Sequence, residues 1–217
     1  MMSEKVKLTI DGVAIEADQG QKILFAALKN EIYIPHLCAV ESESRPNAGC
    51  RLCFVEIEGG RKPVTACTKE VSEGMVVRTR SERIDRLVKT AFELIISDHN
   101  LKCRGCPANR QCSLQKIARS RGFKLRHERF QPLDKSYPLD DSDAKIALDR
   151  SRCVLCGLCI HADRQHDGKG VLGFSGRGID RIITTFNDKP LQEVSCDKCD
   201  HLVEACPVGA LFYKQEA

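Results

Sequence analysis

The sequence predicts an α+β protein assembled from small modules. Its 217 residues exceed the roughly 100 to 150 residues of a common single domain. Strand-like alternation dominates the beginning of the chain, helical periodicity follows, and cysteines recur in separate groups to the end. We therefore divide the chain into four segments: residues 1–80, 81–122, 123–148 and 149–217.

The first segment begins with a predicted β-hairpin. Apolar and polar residues alternate on both sides of Asp11 and Gly12, a pair that accepts the positive φ angles of a tight turn. After this hairpin, apolar residues at helical spacing predict a helix: Ile23, Leu24, Ala27 and Leu28. Further strands are expected over residues 53–58 and 75–80. Paired strands, one helix and later strands predict a β-grasp domain.

The second segment is predicted to be helical. Ser81 is a candidate N-cap for a helix whose apolar stripe leads the chain to His99. The residues of this stripe are Ile84, Leu87, Val88, Ala91, Phe92 and Ile95. A shorter helical pattern ends at Gly122, a typical residue after a helix C-terminus. The third segment has many charges and no clean period, which predicts an ordered connector.

Cysteine usage excludes a complete set of internal disulfides. The chain has 13 cysteines, an odd number that makes up about 6% of the residues. The first residues lack a secretory signal, and no stretch approaches the roughly 20 apolar residues of a membrane span. We therefore expect a cytoplasmic protein without membrane insertion, in which clustered cysteines bind metal.

Charge and aromatic content argue against a nucleic-acid partner. The formal net charge is +4 and the pI is about 8.4, below the value of about 9 typical of nucleic-acid-binding domains. Aromatic residues are 5% and Trp is absent, so the sequence offers few platforms for stacking bases. We expect the basic connector to face solvent or an acidic partner subunit.

The first cysteine group has the spacing C-x11-C-x2-C-x13-C. Its members are Cys38, Cys50, Cys53 and Cys67. Zinc could bind four thiolates, but structural zinc sites usually pair two short C-x2-C elements, and here only one such element is present. A long loop closed by a distant cysteine favours a [2Fe-2S] cluster. We also expect Gly49 to let backbone N-H groups approach the cluster.

The last segment contains a C-x2-C-x2-C motif and a distant Cys-Pro pair. Cys153, Cys156, Cys159 and Cys206 match the ligand pattern of a [4Fe-4S] cluster in bacterial ferredoxins. A second cluster would need cysteines at positions 163, 196, 199 and 202.

Two of those four positions lack a cysteine, because Asp163 and Leu202 stand there. We therefore expect Cys196 and Cys199 to bind no metal. Zinc or a partial cluster, helped by Asp163 and His201, is the alternative.

One histidine precedes three cysteines at the spacing H-x3-C-x2-C-x5-C. These residues are His99, Cys103, Cys106 and Cys112. A [4Fe-4S] cluster needs four ligands, and the other complete groups already use eight of the 13 cysteines. An imidazole nitrogen as the fourth ligand is therefore the most economical interpretation.

Five stretches together resemble a known family. They are LCAVESESRPNAGCRLCFVEIEGGRKPVTAC, DHNLKCRGCPANRQCSLQ, DRSRCVLCGLC, GFSGRG and ACPVGAL. This array is similar to the small iron-sulfur (diaphorase) subunit of NAD-reducing bidirectional or bifurcating hydrogenases. It also resembles the N-terminal part of the largest peripheral-arm subunit of respiratory complex I and the beginning of iron-only bifurcating hydrogenases.

The resemblance implies the cofactors and the module types. It implies a β-grasp [2Fe-2S] ferredoxin-like domain, a helical His/Cys3 [4Fe-4S] module and a C-terminal bacterial-ferredoxin-like [4Fe-4S] module. It assigns one [2Fe-2S] cluster to the first cysteine group and one [4Fe-4S] cluster to each of the other two groups. Some relatives carry a further cluster in the last module, but Asp163 and Leu202 disagree with that pattern.

The expected function is electron transfer without a substrate site. The chain ends eleven residues after Cys206, contains no phosphate-binding P-loop, and places GFSGRG outside the setting of a dinucleotide fingerprint. We expect no catalytic residues here, and flavin and nicotinamide on a partner.

The resemblance implies a hetero-oligomer with a flavin- and NAD-binding diaphorase subunit and the small and large hydrogenase subunits. Equivalent relays in a bifurcating hydrogenase, a formate dehydrogenase or a complex I-like NADH dehydrogenase are the alternatives. An iron-sulfur regulatory protein and a structural zinc protein are more distant ones.

Overall fold

The computed structural model describes residues 4–132, 135, 137–166, 170–194 and 200–214. The chain forms two compact units, residues 1–93 and 94–217. The boundary lies within one helix, and the second unit contains both of the segments that are predicted to bind [4Fe-4S] clusters.

The first unit opens with the predicted hairpin. Strand β1 (Lys5–Ile10) pairs antiparallel with β2 (Val13–Asp18), and Ile10 lies opposite Val13. Asp11 and Gly12 form the turn with φ angles of 49° and 83°. Two positive φ angles are what a two-residue hairpin turn requires, so the sequence prediction is confirmed here.

A five-stranded mixed sheet forms the body of the first unit. It adds β3 (Phe54–Ile57), β4 (Val64–Thr65) and β5 (Met75–Arg78), in the spatial order β2-β1-β5-β3-β4. Strands β1 and β5 are parallel and the other pairs are antiparallel. Helix α1 (Ile23–Lys29) contributes the buried residues of its apolar face to the same core. This mixed α/β arrangement confirms the predicted fold class.

Helix α2 (Glu82–Ser97) begins at the predicted cap. The hydroxyl oxygen of Ser81 accepts a hydrogen bond from the N-H of Ile84 at 3.1 Å. The fully buried side chains of α2 follow a spacing of four: Ile84, Val88, Phe92 and Ile96. Ile96 therefore takes the buried position at the end of the helix that the sequence assigned to Ile95, which is only half-buried.

The second unit begins with short helical elements. Residues 103–105 form one turn of 3-10 helix, and α3 (Ser113–Arg121) follows. Gly122 ends α3 in the left-handed conformation with a φ of 69°, as predicted, and its N-H donates to the carbonyl of Ala118.

The remainder of the second unit combines short helices with two strand pairs. The helices are α4 (Leu158–His166), α5 (Leu191–Val194) and α6 (Asp200–Glu204). Strand β6 (Ile146–Leu148) pairs with β9 (Leu211–Tyr213), and β7 (Leu172–Ser175) pairs with β8 (Ile182–Thr185). Strand β6 falls within the predicted connector, because its partner strand lies at the far end of the chain.

None of the helices in the described ranges has both the length and the apolar character needed to cross a membrane.

Candidate metal centres

The first cysteine group lies around one end of the five-stranded sheet. Cys38 and Cys50 lie in the loop between α1 and β3, Cys53 directly precedes β3, and Cys67 follows β4. Pairing of β3 with β4 brings the last two together, and the N-H of Ala66 donates to the carbonyl of Cys53 at 2.8 Å. The structure therefore gathers this predicted ligand set within the first unit.

The four thiols form two hydrogen-bonded pairs. The thiol of Cys38 pairs with Cys50, an interaction that raises the pKa of Cys38 and lowers the pKa of Cys50 to about 6. The thiol of Cys53 pairs with Cys67 in the same way and lowers the pKa of Cys67. A [2Fe-2S] cluster takes two protein ligands on each iron, so two thiol pairs fit such a cluster.

Backbone N-H groups also point at these sulfur atoms. The N-H of Cys50 donates to Cys38 Sγ at 3.4 Å, and backbone hydrogen bonds from Leu52 and Leu37 lower the pKa of Cys50. The loop reaches this geometry through Arg51, whose φ is 55°. A residue other than glycine in the left-handed region is uncommon, and such residues are concentrated at functional sites.

The prediction for Gly49 is wrong. Its φ lies outside the left-handed region, and a Cβ there would meet nothing closer than Asn47 Nδ2 at 3.4 Å. The loop turns at the next residues instead, so Gly49 is not what allows the backbone to approach the cysteines.

His99 and its three cysteines lie in the second unit. His99 is only 7% exposed, and its Nδ1 has no hydrogen-bond partner among the described residues. Burial, followed by the charge of Arg152, lowers the pKa of His99 to about 4, so the ring is neutral near pH 7. A neutral imidazole with a buried, unpartnered nitrogen is suited to bind iron.

The three cysteines of this group interact with one another. Burial raises the pKa of the Cys112 thiol, and the neighbouring Cys106 and Cys103 raise it further. Cys112 precedes α3, and the 3-10 turn carries Cys103. A metal that binds these sulfurs as thiolates would offset the cost of ionising them in a buried position.

The last cysteine group lines one apolar cavity. Cys153, Cys156, Cys159 and Cys206 all contribute to its wall, together with apolar residues such as Leu148, Phe174, Ile183 and Val208. Burial raises the pKa of Cys153 to about 11 and the pKa of Cys159 well above its usual value. Because four sulfurs face one water-poor cavity, this set has the arrangement that a [4Fe-4S] cluster requires.

The loop through this group also contains a left-handed residue. Leu155 has a φ of 52°, and its N-H donates to Cys153 Sγ at 3.4 Å. The following turn needs Gly157, which has a φ of 79° and whose Cβ, if present, would lie 3.4 Å from Phe174 Cζ. The C-x2-C-x2-C spacing did not indicate that Leu155 has this role.

Among the described residues, no group of three or more His, Cys, Asp or Glu side chains could hold a single metal ion. A tetrahedral zinc site requires its ligands to converge on one point. An iron-sulfur cluster distributes its ligands over several irons and does not require such convergence. The thiol pairs, the unpartnered imidazole nitrogen and the sulfur-lined cavity therefore fit clusters better than zinc.

Asp163 has a structural role in place of the uncertain metal-binding role. It is 2% exposed, and its Oδ2 accepts hydrogen bonds from the N-H groups of Val171 and Leu172 at 2.6 and 2.7 Å. Its Oδ1 lies 3.9 Å from His201 Nε2, and Leu202 is fully buried in the core. Cys196 and Cys199 lie outside the described residues.

Two further glycine-containing stretches have local roles. The stretch GFSGRG forms the end of β7 and a turn, in which a Cβ on Gly176 would collide with the carbonyl of Asp180. Gly209 lies beside Cys106 Sγ, a contact between two predicted ligand loops that sequence spacing alone did not indicate. Neither stretch precedes a helix in the manner of a dinucleotide fingerprint.

Three protein-family models match the chain in order. A 2Fe-2S iron-sulfur cluster binding domain matches residues 3–82. An iron-sulfur binding region of NADH-ubiquinone oxidoreductase-G matches residues 89–126, and a ferredoxin-like domain of NADH-quinone oxidoreductase subunit 3 matches residues 143–212. Each match contains one of the three predicted ligand sets.

Curated relatives are longer than this chain. The NADPH-Fe(3+) oxidoreductase subunit alpha of Geobacter sulfurreducens is 36% identical over 96% of the chain and 24% of the relative. The NADH-quinone oxidoreductase G protein of Mycobacterium bovis is 35% identical over 96% of the chain and 25% of the relative. The NADP-reducing hydrogenase subunit HndD of Solidesulfovibrio fructosivorans is 33% identical over 94% of the chain and 35% of the relative.

One solved structure matches nearly end to end. It is a chain in the crystal structure of NAD+-reducing [NiFe]-hydrogenase in the H2-reduced state. The TM-score is 0.86 and the identity is 33%, over 96% of this chain and 87% of the matched chain.

Proposed function

We propose that this chain, which belongs to the family of multi-cluster iron-sulfur electron-transfer subunits of NAD-linked hydrogenases and complex I-like oxidoreductases, relays electrons between a hydrogenase module and a flavin- and NAD-binding diaphorase subunit. It supplies cluster sites and no substrate site of its own.

One observation carries this proposal: each of the three predicted ligand sets is gathered locally. The first set forms paired thiols, the second surrounds a neutral buried imidazole, and the third lines one cavity. When bound, an iron-sulfur cluster accepts and releases one electron at a time. A chain with several such sites and no nucleotide fingerprint in its described residues is suited to electron relay.

The proposed cofactor content is one [2Fe-2S] and two [4Fe-4S] clusters. Cys38, Cys50, Cys53 and Cys67 hold the first. His99, Cys103, Cys106 and Cys112 hold the second, and Cys153, Cys156, Cys159 and Cys206 hold the third. The protein tunes these sites through ligand identity, hydrogen bonds to sulfur and burial. The total is about 10 Fe per chain.

The proposed partners follow from the relatives. The near end-to-end match to a chain of NAD+-reducing [NiFe]-hydrogenase favours hydrogenase subunits and a diaphorase subunit in a cytoplasmic hetero-oligomer. The matches to HndD and to NADH-quinone oxidoreductase G leave the equivalent relay in a bifurcating or complex I-like enzyme as the second candidate.

The test is anaerobic purification of the tagged chain from its natural host. We expect copurified subunits that contain flavin and nickel, and about 10 Fe per chain after correction for those subunits. Flavin without nickel would support the second candidate and overturn the hydrogenase assignment. Zinc in place of iron would overturn the relay function itself.

His99→Cys tests the imidazole ligand. We expect the variant to retain four iron atoms at this site and to have a lower midpoint potential, because thiolate adds negative charge and histidine ligands raise cluster potentials in Rieske centres. His127→Cys is the control, since His127 belongs to none of the three ligand sets. Parent-like spectra and potentials in His99→Cys would contradict ligation by His99.

A further inference from the structure

We propose that the segment Pro207–Gly209 and the loop from Cys106 to Ser113 form the contact through which electrons cross between the two [4Fe-4S] sites, with Gly209 as the positioning residue. This inference rests on the proposed relay function and its ligand sets. It adds the residues that fix the two sites relative to each other.

Gly209 is the first observation. A Cβ on this residue would lie 2.5 Å from Cys106 Sγ and 3.4 Å from Ala108 N. Real Cβ atoms do not approach a sulfur this closely, so only glycine fits while Cys106 keeps its position. The φ of Gly209 is not in the left-handed region, and the chain therefore needs glycine here for the close approach alone.

A backbone hydrogen bond beside this contact is the second observation. The N-H of Ser113 donates to the carbonyl of Pro207 at 2.9 Å. Ser113 directly follows Cys112, and Pro207 directly follows Cys206, so each partner is bonded to a predicted ligand of a different site. This link gives a short route through covalent bonds and one hydrogen bond from one ligand set to the other.

A second link fastens the two ligand sets at another point. Asn100, which follows His99, donates its N-H to the carbonyl of Ser151 at 2.9 Å. Ser151 is held in turn by Asp149, whose carboxylate accepts from the N-H of Ser151 at 3.0 Å and pairs with Arg152 at 2.9 Å. Two separate links prevent the ligand loops from sliding past each other.

The electron step that this contact serves is balanced without proton transfer. One electron leaves the reduced cluster of one ligand set and reduces the oxidised cluster of the other, and no covalent bond forms or breaks. The residues contribute a fixed separation and a bonded route. Packing alone would not require that the hydrogen-bonded residues be adjacent to ligands of both sites.

Two pairs of variants test this inference in the complete, cluster-containing chain. Gly209→Ala adds a methyl group against Cys106, whereas Gly105→Ala, its control, adds a methyl group beside the same cysteine with no atom within 4 Å. Ser113→Pro removes the N-H that bonds Pro207, at the first helical position, where proline is tolerated. Ser113→Ala, its control, keeps that N-H.

The readouts are iron content, the magnetic interaction between the two reduced clusters by electron paramagnetic resonance, and the rate of electron redistribution after limiting chemical reduction. We expect Gly209→Ala and Ser113→Pro to weaken the interaction and slow redistribution severalfold, and both controls to match the parent. Parent-like interaction and rate in Ser113→Pro with full iron content would overturn the inference. Absence of two [4Fe-4S] signals in the parent would instead overturn the proposed function.

Discussion

The two halves of the C-terminal module use equivalent positions in opposite ways. In the cysteine half, residues 153–159 with Cys206, four sulfurs face an apolar cavity and the backbone is strained at Leu155. In the aspartate half, residues 163–172 with 200–204, a carboxylate binds two backbone N-H groups and Leu202 packs in the core.

This difference shows what replaces a metal site. A half without its thiolates still has backbone donors and core volume to satisfy, because unsatisfied buried groups and voids are costly. Asp163 satisfies the donors, and Leu202 fills volume beside α4 and α6. The aspartate half is therefore stabilised by the protein itself, whereas we expect the cysteine half to depend on its cluster.

The largest expected effect is in the cysteine half. Cys153→Ser should lose about four of the roughly 10 Fe, because one of four cluster ligands is replaced by a hydroxyl. Iron analysis and low-temperature spectra of the reduced protein measure this loss. Unchanged iron content would remove Cys153 from the ligand set. Ser151→Ala is the control, because it changes a residue of the same loop that belongs to no ligand set.

In the aspartate half, Leu202→Ala should lower the free energy of unfolding by about 3 kcal/mol without changing the iron content. The side chain is 0% exposed, so truncation leaves a cavity in the core. Thermal unfolding of the anaerobic protein measures the change. Loss of iron in this variant would mean that the two halves are not independent.

A smaller effect is expected when the carboxylate is removed. Asp163→Ala should cost about 2 kcal/mol in the free energy of unfolding, because the N-H groups of Val171 and Leu172 lose their acceptor. Asp163→Asn is the matched control and should retain most of the stability, since its amide oxygen can still accept. Thermal unfolding of both variants measures the difference. The comparison would fail if both variants lost iron, because Asp163 would then contribute to a metal site.

The smallest effect concerns backbone strain beside the cluster. Leu155→Val should destabilise the protein by about 1 kcal/mol, because a β-branched side chain is disfavoured at a φ of 52°. Leu155→Gly relieves this strain and should retain full iron content. Equal stability of the two variants in thermal unfolding would show that the left-handed conformation is not required for the fold.

Local elements of the fold were predictable because their signals are short in range. The turn at Asp11 and Gly12, the cap at Ser81 and the end of α3 at Gly122 each depend on a few neighbouring residues. Strand β6 was missed, because its pairing with β9 joins residues about 65 positions apart, and no local pattern records such a partner. Gly49 was misassigned for a related reason, since only the folded loop shows which residues turn.

The sequence alone determined the ligand types, their grouping and the order of the modules, because cluster chemistry requires thiolates and imidazole at restricted spacings. Tertiary structure decided what surrounds those ligands. It paired the thiols of the first group, buried His99 beside Arg152, gave Asp163 to two backbone donors, and placed Gly209 against Cys106. These contacts join residues distant in sequence, so they depend on packing in three dimensions and leave no local periodicity.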